Sequence, residues 1–404
     1  MAMVQTKRLA ALLLALLLTL FLLPSALADS GVVSGTTVSG TVRVYLSSIS
    51  SLTAVDVSIA GSYSVGGDTS RALSRGQNIR VSNSGGTLMM TANGQTQTMG
   101  SRFKLRRHQT SGENGVRIAQ ARYPASLYPG DIEFIAKGGN VQIVVHVYME
   151  DYMLGVLPYE MDNSFPLEAL KAQAILARTF VLQFVSQKES MYDGADISTD
   201  IKEAQAYDAA GVNARIREAV KETRGEVLNA GGELPYAWFH AHSGGLTARA
   251  KEGLDYEKAE PSYTQCVKGM ENDEAPAEAA HWQADFSADE VMAAANASGA
   301  KVDALESIAV GRRGESGRAE TLLISGQEVS APAFRIAIGS TRMRSCLLES
   351  LRVEDGRVKM SGKGYGHGVG MSQWGAYAMA KAGKTAEEIV MHYFQGVSID
   401  QAWE

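Results

Sequence analysis

The stretch FPLEALKAQAILARTFVLQF, residues 165–184, carries an apolar stripe with a helical period. Its apolar residues recur in alternating steps of three and four, which places them on one face of an α-helix. Pro166 suits the first turn of a helix, where its missing N–H group is not needed, and Ser164 is a candidate N-cap. The many alanines predict that another element packs closely against this helix. The stripe consists of Leu167, Leu170, Ala174, Ala177, Val181 and Phe184.

The chain before this helix has the composition of β-structure. Residues 41–148 contain short runs rich in branched residues, separated by Gly, Asn and Asp, and no helical period runs through them. After the helix, predicted helices and strands are segregated rather than strictly alternating. This order is typical of an α+β fold, here with a β-rich N-terminal portion and a mixed core that has a cleft between subdomains.

Local signals mark several elements in the second half of the chain. Ser287 with Glu290 and Thr385 with Glu388 have the spacing of a capping box, which predicts a helix start at each pair. The run ENDEAPAEAA, residues 271–280, is acidic and rich in Ala and Pro, and it predicts a surface loop. Hairpins are predicted at 304–326 and 347–364, with a short helix at 331–339 between them.

The N-terminus has the three parts of a secretory signal peptide. Lys7 and Arg8 precede an apolar run of about 15 residues, which ends in the small residues of an A-x-A site at Ala26–Ala28. The alternative is an uncleaved membrane anchor, although roughly 20 apolar residues are needed to span a bilayer. We expect cleavage after Ala28 and a secreted or extracytoplasmic mature chain.

The charge balance argues against one class of partner. The 404 residues include 38 Lys and Arg against 44 Asp and Glu, a formal net charge of −6. Removal of residues 1–28 deletes two cations and no acids, which makes the mature chain more acidic. Nucleic-acid binding depends largely on basic contacts to phosphates, so we expect no nucleic acid, whereas sugar polymers remain open as partners.

The chain has two cysteines, Cys266 and Cys346. In an oxidising compartment they can form one disulfide, or both can remain buried thiols, because sequence distance does not fix spatial distance. Two cysteines are too few for a four-cysteine zinc site.

Three clusters have the composition of a functional site. The first is Glu160, in a Pro-Tyr-Glu-Met turn ahead of the predicted helix. The second is AWFHAHSGGLTA at 237–248, and the third is GKGYGHGVGMSQWGA at 362–376, which contains six glycines. Glycine has a high conformational cost on folding, so the third cluster needs a reason for its composition. Close approach of the backbone to a ligand is one reason, and tight turns around a buried tryptophan are the alternative.

The second cluster allows more than one interpretation. His240 and His242 share one face if they lie on a strand, and paired histidines are typical of metal sites. No acidic third ligand and no H-E-x-x-H helix accompanies them, so we predict hydrogen-bonding groups and no metal. Ser243 before two glycines resembles a nucleophile turn only loosely, since neither this segment nor the one around Ser372 matches G-x-S-x-G. A metallo- or serine hydrolase is kept as an alternative.

Together and in this order, the three clusters resemble the SpoIID/LytB family, which contains stage II sporulation protein D and the amidase enhancers of bacterial cell walls. The resemblance covers roughly residues 40–400, through MEDYMLGVLPYEM with PLEALKAQAILARTF, FHAHSGG, and GKGYGHGVGMSQWGAYAMAKAGKTAEEIVMHYF. It implies a peptidoglycan lytic transglycosylase that cleaves between N-acetylmuramic acid and N-acetylglucosamine in glycan strands without stem peptides. The family's catalytic acid maps onto Glu160.

A single acidic residue in these motifs fits that activity. Glycosidases that use water need two carboxylates, whereas a lytic transglycosylase uses the C6 hydroxyl of the sugar as nucleophile. Glu160 would protonate the leaving oxygen and then accept the hydroxyl proton, which gives a 1,6-anhydromuramoyl end. We expect burial beside Tyr159, Met161 and Phe165 to raise its pKa.

The resemblance also implies further contacts with peptidoglycan strands and no cofactor. Family members that bind zinc carry cysteines where this chain has Ala204 and Ser243, which argues against a zinc site. Among the sugar-binding candidates, His367 stands out because glycines flank it and leave space around its ring. The candidates are Gln205, Tyr207, His240, His242, Ser243, Tyr365, His367, Ser372 and Gln373.

The amidase-enhancer branch supplies the alternative function, a non-enzymatic peptidoglycan-binding protein that stimulates an N-acetylmuramoyl-L-alanine amidase. A membrane contact is expected only if the signal peptide stays uncleaved. The predicted domain order is a signal peptide at 1–28, a flexible lead-in at 29–40, a β-rich part at 41–148, a central catalytic region at 149–270, an insert with helix and hairpin at 271–345, and a C-terminal glycine-rich motif with helices at 346–404.

Overall fold

The chain begins with strands and turns to helices at Met149. The computed structural model describes residues 30–33, 36–49, 52–109, 114–120, 123–187, 192, 194–199 and 212–403. Helices and strands are segregated along these residues, and the N-terminal portion is β-rich, which confirms the predicted α+β class.

Two large sheets and one separate two-stranded hairpin build the N-terminal portion. Its strands are β1 (Ser30–Val33), β2 (Thr36–Ser39), β3 (Thr41–Tyr45), β4 (Ala54–Ile59), β5 (Tyr63–Val65), β6 (Asp68–Leu73), β7 (Asn78–Ser84), β8 (Thr87–Ala92), β9 (Gln95–Gly100), β10 (Arg102–Arg107), β11 (Val116–Gln120), β12 (Tyr123–Tyr128), β13 (Asp131–Lys137), β14 (Asn140–Tyr148) and β15 (Ile197–Ser198), with a 3₁₀ turn at Ser47–Ile49. One sheet has the order β15-β3-β14-β13-β10-β5-β6, and the other has the order β12-β11-β4-β7-β8-β9. Alternate residues of both sheets, such as Val55 and Val57 on β4 and Val42 on β3, enter one shared core because side chains in a strand point to opposite faces in turn.

The segment expected to be a flexible lead-in, residues 29–40, contains a hairpin. β1 pairs with β2 in antiparallel register, from Ser30 opposite Ser39 to Val33 opposite Thr36. Val and Thr favour extended backbone, and they outweigh the flexibility that the small residues of this segment suggest.

The helices are α1 (Met149–Glu160), α2 (Leu167–Gln187), α3 (Ala214–Glu222), α4 (Ala250–Leu254), α5 (Ala277–Ala280), α6 (Ala288–Ala297), α7 (Ala331–Ile338), α8 (Gln373–Lys381) and α9 (Ala386–Tyr393). Helix α2 is the predicted one, and α1, α3, α8 and α9 all pack against it. Its alanines are fully buried, Ala174 and Ala177 among them, so neighbouring helices approach closely. Among the helices described, none is long and apolar enough to cross a membrane.

Helix α1 corrects the sequence prediction, which places no helix at Met149–Glu160 and puts Glu160 in a turn. Gly155 and Pro158 are poor helix formers, and the apolar run passes from strand to helix without a polar break. Burial decides the structure instead, because Tyr152 and Val156 are fully buried in the core that the helices share with the sheets. Glu160 is therefore the last residue of a helix.

An ion pair fixes the start of α1. The fully buried Arg178 donates from Nε and Nη2 to the two carboxylate oxygens of Glu150, at 3.2 and 2.7 Å. Glu150 Oε1 also accepts the Gly225 N–H and the Trp403 indole N–H, both at 3.0 Å. A single carboxylate thus connects α1 to α2 and to the end of the chain.

The chain from Trp282 to Met360 forms a second hydrophobic core. The remaining strands are β16 (Glu226–Asn229), β17 (Phe239–His240), β18 (His281–Ser287), β19 (Ile308–Val310), β20 (Thr321–Ile324), β21 (Gln327–Ser330), β22 (Leu348–Glu354), β23 (Arg357–Lys363), β24 (Met371–Ser372) and β25 (Ser398–Gln401). Strands β18, β22 and β23 make one sheet and β19 to β21 another, and α6 and α7 complete this core around Phe286, Phe334 and Met360. The predicted hairpins, the short helix and both capping boxes are confirmed. The hairpin β22–β23 belongs to this core, although the sequence assigns it to the C-terminal segment.

Candidate functional site

Glu160 lies half-buried at the C-terminal end of α1. Burial raises the pKa of its carboxyl to about 7, as the sequence predicts in direction. The carbonyl end of a helix carries a partial negative charge, which also disfavours the ionised form. Met161 and Phe165 are buried nearby in the chain, whereas Tyr159 is 58% exposed and does not shield the carboxyl as expected. A carboxyl with this pKa is available as a proton donor near neutral pH.

Gln373 connects the third cluster to this helix end. It is the first residue of α8, and its Nε2 donates to the backbone carbonyl of Glu160 at 2.7 Å and to Gln173 Oε1 at 3.2 Å. Gln173 is fully buried in α2. One amide therefore holds the ends of α1 and α8 together against the central helix.

Backbone pairing joins the second and third clusters. Strands β17 and β24 are parallel, with His240 opposite Ser372. Two residues further along, His242 N–H donates to the Tyr365 carbonyl at 3.0 Å, and Tyr365 N–H donates to the His242 carbonyl at 2.8 Å. All three clusters therefore converge, although Glu160 and Gln373 are 213 residues apart in the sequence.

His240 and His367 form a neutral pair. Their ring centroids are 5.7 Å apart, and both contact Val369: His240 Nδ1 lies 3.1 Å from its carbonyl, and His367 Nδ1 accepts its N–H at 3.0 Å. Burial lowers the pKa of the His240 imidazole well below its ordinary value, and burial together with the positive charges of Arg335 and Arg318 lowers the pKa of His367 to about 3. At neutral pH these histidines are uncharged hydrogen-bonding groups.

Contacts within the protein account for the glycines beside His367. A Cβ on Gly366 would lie 2.6 Å from the His240 Cβ, and a Cβ on Gly368 would overlap the Arg318 guanidinium. Both glycines have positive φ angles, +112° and +87°, which other residues rarely adopt. His240 and Arg318 occupy the positions that side chains on these two glycines would fill, so the glycines themselves leave no open space there.

A carboxylate outside the predicted set lies in the same region. Glu271 belongs to the segment expected to be a surface loop, yet its side chain is only 6% exposed. Its Oε1 accepts the Ser243 N–H and the Ser372 hydroxyl, both at 2.6 Å, and lies 3.8 Å from His242 Nδ1. Burial by itself raises the pKa of Glu271, but the hydrogen bonds from Ser372 and Ser243 hold it below its ordinary value. Glu271 is therefore ionised at neutral pH.

The two serines are occupied by these contacts. The Ser372 hydroxyl donates to Glu271 and accepts the Gly375 N–H at 3.2 Å, which makes it the N-cap of α8. The Ser243 hydroxyl accepts the Gly245 N–H at 3.0 Å. Each hydroxyl has a structural partner, which gives no support to the serine-hydrolase alternative.

The predicted sugar-binding residues differ in their exposure. Gln205 and Tyr207 lie outside the described residues, as does Ala204. Buried residues are His240, His242, Ser243 and Ser372. Half-buried residues are Tyr365, His367 and Gln373.

Neither metal ligands nor a disulfide are found in the described part of the chain. No group of three or more His, Cys, Asp or Glu side chains is arranged there to hold a metal ion. Cys266 and Cys346 are free thiols, and burial raises the pKa of each to about 11. A cavity of about 680 Å³ lies between α4 and the second core, and its lining includes Tyr256 and Arg312 but not Glu160.

Sequence comparison identifies the family. Residues 137–229 match the profile of stage II sporulation protein, and residues 256–370 match a domain of unknown function. Stage II sporulation protein D of Bacillus subtilis strain 168 is 31% identical over 280 residues, which cover 65% of this chain and 77% of the relative. The chain belongs to the SpoIID family. The protein of the same name from Bacillus amyloliquefaciens is also 31% identical, over 64% of this chain and 76% of the relative.

Another SpoIID relative carries a different name. The amidase enhancer of Bacillus subtilis strain 168 is 25% identical over 289 residues, which cover 61% of this chain and 40% of that protein. The names of these relatives connect the SpoIID family with cell-wall remodelling in sporulation and with amidase activity. In this SpoIID chain, Glu160 lies inside the sporulation-protein match, whereas Glu271 lies inside the domain of unknown function.

Proposed function

We propose that this chain is a peptidoglycan lytic transglycosylase with Glu160 as its single general acid and base. The observation that carries the proposal is a half-buried carboxyl with a pKa of about 7 at the end of a helix that Gln373 of the third cluster holds in place. The names of its SpoIID relatives support a substrate in the bacterial cell wall.

The proposed reaction has two proton transfers and consumes no water. Protonated Glu160 donates its proton to the oxygen of the leaving N-acetylglucosamine as the bond from that oxygen to C1 of N-acetylmuramic acid breaks. The Glu160 carboxylate then takes the proton of the C6 hydroxyl on the same muramic acid, whose oxygen forms the new bond to C1. The product ends in a 1,6-anhydromuramoyl group, and Glu160 is protonated again.

The exposure of the neighbouring residues divides their proposed roles. Tyr365, His367 and Gln373 are half-buried, so we assign contact with the sugar rings to them. His240, His242, Ser243 and Ser372 are buried and hold the loops in position from behind. Gln205 and Tyr207 are kept as sugar-binding candidates on the family resemblance alone.

We also propose that the reaction takes place outside the cytoplasm, in the cell wall. Residues 1–28 combine a basic start, an apolar run and an A-x-A site, which are the features of a cleaved signal peptide. Analysis of the mature N-terminus by mass spectrometry tests this assignment, and a chain that retains residues 1–28 contradicts it.

The test of the activity is mass spectrometry of denuded glycan strands digested with wild type and with Glu160→Gln. We expect 1,6-anhydromuramoyl ends from the wild type and a loss of rate of about 1,000-fold in the variant, since a general acid–base group contributes on the order of 10²–10⁴. Glu218→Gln, at an exposed acid on α3, is the matched control and should keep full activity. Ordinary reducing ends, or full activity of Glu160→Gln, would contradict the mechanism.

The amidase-enhancer relative favours a second candidate function, in which the chain binds peptidoglycan and stimulates an amidase without cleaving the glycan. Addition of the chain to a purified cell-wall amidase acting on sacculi separates the two functions. Stimulation that persists in Glu160→Gln, with no anhydro ends in either digest, would favour the enhancer.

A further inference from the structure

The proposed reaction gives no role to the enclosed carboxylate of Glu271. Glu271 is ionised, nearly inaccessible to solvent, and receives hydrogen bonds from a backbone N–H of the second cluster and a side chain of the third. Both bonds end on the same oxygen, Oε1, and both measure 2.6 Å. Glu271 thus ties the two clusters to each other at one atom.

The contacts continue from Glu271 to Glu160. Ser372, which donates to Glu271, is the N-cap of α8, and its hydroxyl accepts the Gly375 N–H. The next residue, Gln373, donates to the Glu160 carbonyl at 2.7 Å. The position of the α8 N-terminus, which Glu271 holds, therefore sets the position of the amide that holds the end of α1.

The surroundings of Glu271 leave it little freedom to move. A Cβ on Gly269 would overlap Glu271 Oε2 and the Ser243 hydroxyl, and the Gly269 carbonyl accepts the Tyr393 hydroxyl at 2.5 Å. On the other side, the buried Arg318 donates to the Ser243 carbonyl. The negative charge also lies beside the N-terminus of α8, where a helix favours an anion. These contacts make Glu271 a fixed anchor.

We infer that Glu271 is a positioning residue for Glu160: as a hydrogen-bond acceptor it fixes Ser372 and, through Gln373, the end of α1 that carries the proposed general acid. The inference rests on the proposed function for its effect on catalysis. It assigns no proton transfer to Glu271. The opposite assignment makes Glu271 the second carboxylate of a hydrolase that uses water.

Two substitutions at Glu271 separate these assignments. Glu271→Gln keeps a carbonyl oxygen that accepts both hydrogen bonds, so activity should stay within about five-fold of wild type. Glu271→Ala leaves the Ser243 N–H and the Ser372 hydroxyl without their acceptor, so kcat should fall about thirty-fold or more while KM changes less than about three-fold. Glu274→Ala is the matched control, because that exposed acid of the same loop has surface contacts with Tyr377, Lys381 and Asn272 and should keep wild-type kinetics.

The outcomes are clear in both directions. If Glu271→Gln is as inactive as Glu160→Gln, then Glu271 transfers a proton and the inference is overturned. If Glu271→Ala keeps full activity, then Glu271 has no positioning role. If circular dichroism shows that Glu271→Ala does not fold, Ser372→Ala takes its place with the same expected kinetics, since it cuts the connection between Glu271 and α8.

A measurement without substrate keeps this inference separate from the proposed reaction. Backbone amides at 157–165 should exchange hydrogen faster in Glu271→Ala than in wild type, because the end of α1 loses its support, and they should exchange at wild-type rates in Glu271→Gln. If the wild type cleaves no glycan, the proposed function fails, and faster exchange still supports the positioning role. Unchanged exchange in Glu271→Ala contradicts that role whatever the activity.

Discussion

The end of helix α1 and the loop before helix α5 each carry a carboxyl group that is shielded from solvent, Glu160 and Glu271. The pKa values of these two groups are shifted in opposite directions. At Glu160, burial raises the pKa to about 7. At Glu271, burial acts in the same direction, but hydrogen bonds from Ser372 and Ser243 reverse the result and lower the pKa. Burial therefore gives a carboxyl group that is protonated near neutral pH only where no hydrogen-bond donors stabilise its charged form. The donors around Glu271 do stabilise that form, so Glu271 is an ionised hydrogen-bond acceptor.

The largest test of this difference is the pH dependence of activity. Because only protonated Glu160 donates, kcat/KM should fall above pH about 7 and be lower by about 100-fold at pH 9. Burial lowers the pKa values of His240, His242 and His367 below the ordinary value of 6.5, so titration of these groups does not cause a fall in rate above pH 7. Initial rates on denuded glycan between pH 5 and 9 measure the profile. A rate that stays level to pH 9 would sink the assignment of Glu160 as the acid.

A second test asks how strongly the region of Glu271 depends on close packing. Gly368→Ala places a Cβ against Arg318, which donates to the Ser243 carbonyl, whereas Gly383→Ala has open space at nearly the same φ, +85° against +87°. We expect Gly368→Ala to lose roughly 2 kcal/mol more free energy of unfolding than Gly383→Ala. Urea denaturation of both variants measures the difference. Equal losses would show that Arg318 moves aside freely.

The third test measures the free energy of unfolding as a function of pH. The expected dependence on pH has opposite signs for Glu160 and Glu271. The folded-state pKa of Glu160, about 7, lies above its unfolded value of 4.5, so its contribution to stability is present at low pH and is lost as pH rises through this interval. Glu160→Gln should therefore be more stable than wild type at pH 8, on the order of 1–2 kcal/mol, and equal to it near pH 4.

Glu271 provides the contrast for that measurement. Its folded-state pKa is lowered, so its contribution is present above the unfolded pKa and is lost as pH falls through the folded value. Thermal unfolding at pH 4 and pH 8 should show that Glu271→Gln is less stable than wild type at pH 8. A gap between Glu160→Gln and wild type that is the same at both pH values would contradict the buried environment of Glu160.

Signals that act over a few residues account for what the sequence predicts well. The apolar stripe of α2, the capping boxes at Ser287 and Thr385 and the hairpin β22–β23 depend on neighbours within one element or one turn. Helix α1 cannot be predicted from such local signals. Gly155 and Pro158 disfavour a helix, and only the burial of the other residues stabilises the helical conformation. The sequence could identify Glu160 as a candidate site residue, but it could not predict that Glu160 is the last residue of a helix.

Glu271 is a residue whose buried position could not be predicted from the sequence around it. Its partners lie 28 and 101 residues away in the sequence, and its own surroundings read as an acidic surface loop. Nothing in its local pattern distinguishes it from Glu274, which is exposed three residues later. Convergence of distant loops decides which acid is buried, and that is a property of the fold. The sugar-binding roles of Gln205 and Tyr207 stay predictions.

Helix α1 is held at both ends by residues from the last part of the chain. Trp403 donates to Glu150 at its beginning, and Gln373 donates to the Glu160 carbonyl at its end. During synthesis, α1 is therefore made more than 200 residues before Gln373 and Trp403. A chain that lacks its C-terminal part therefore lacks both Gln373 and Trp403, and neither end of α1 has its C-terminal hydrogen-bond partner.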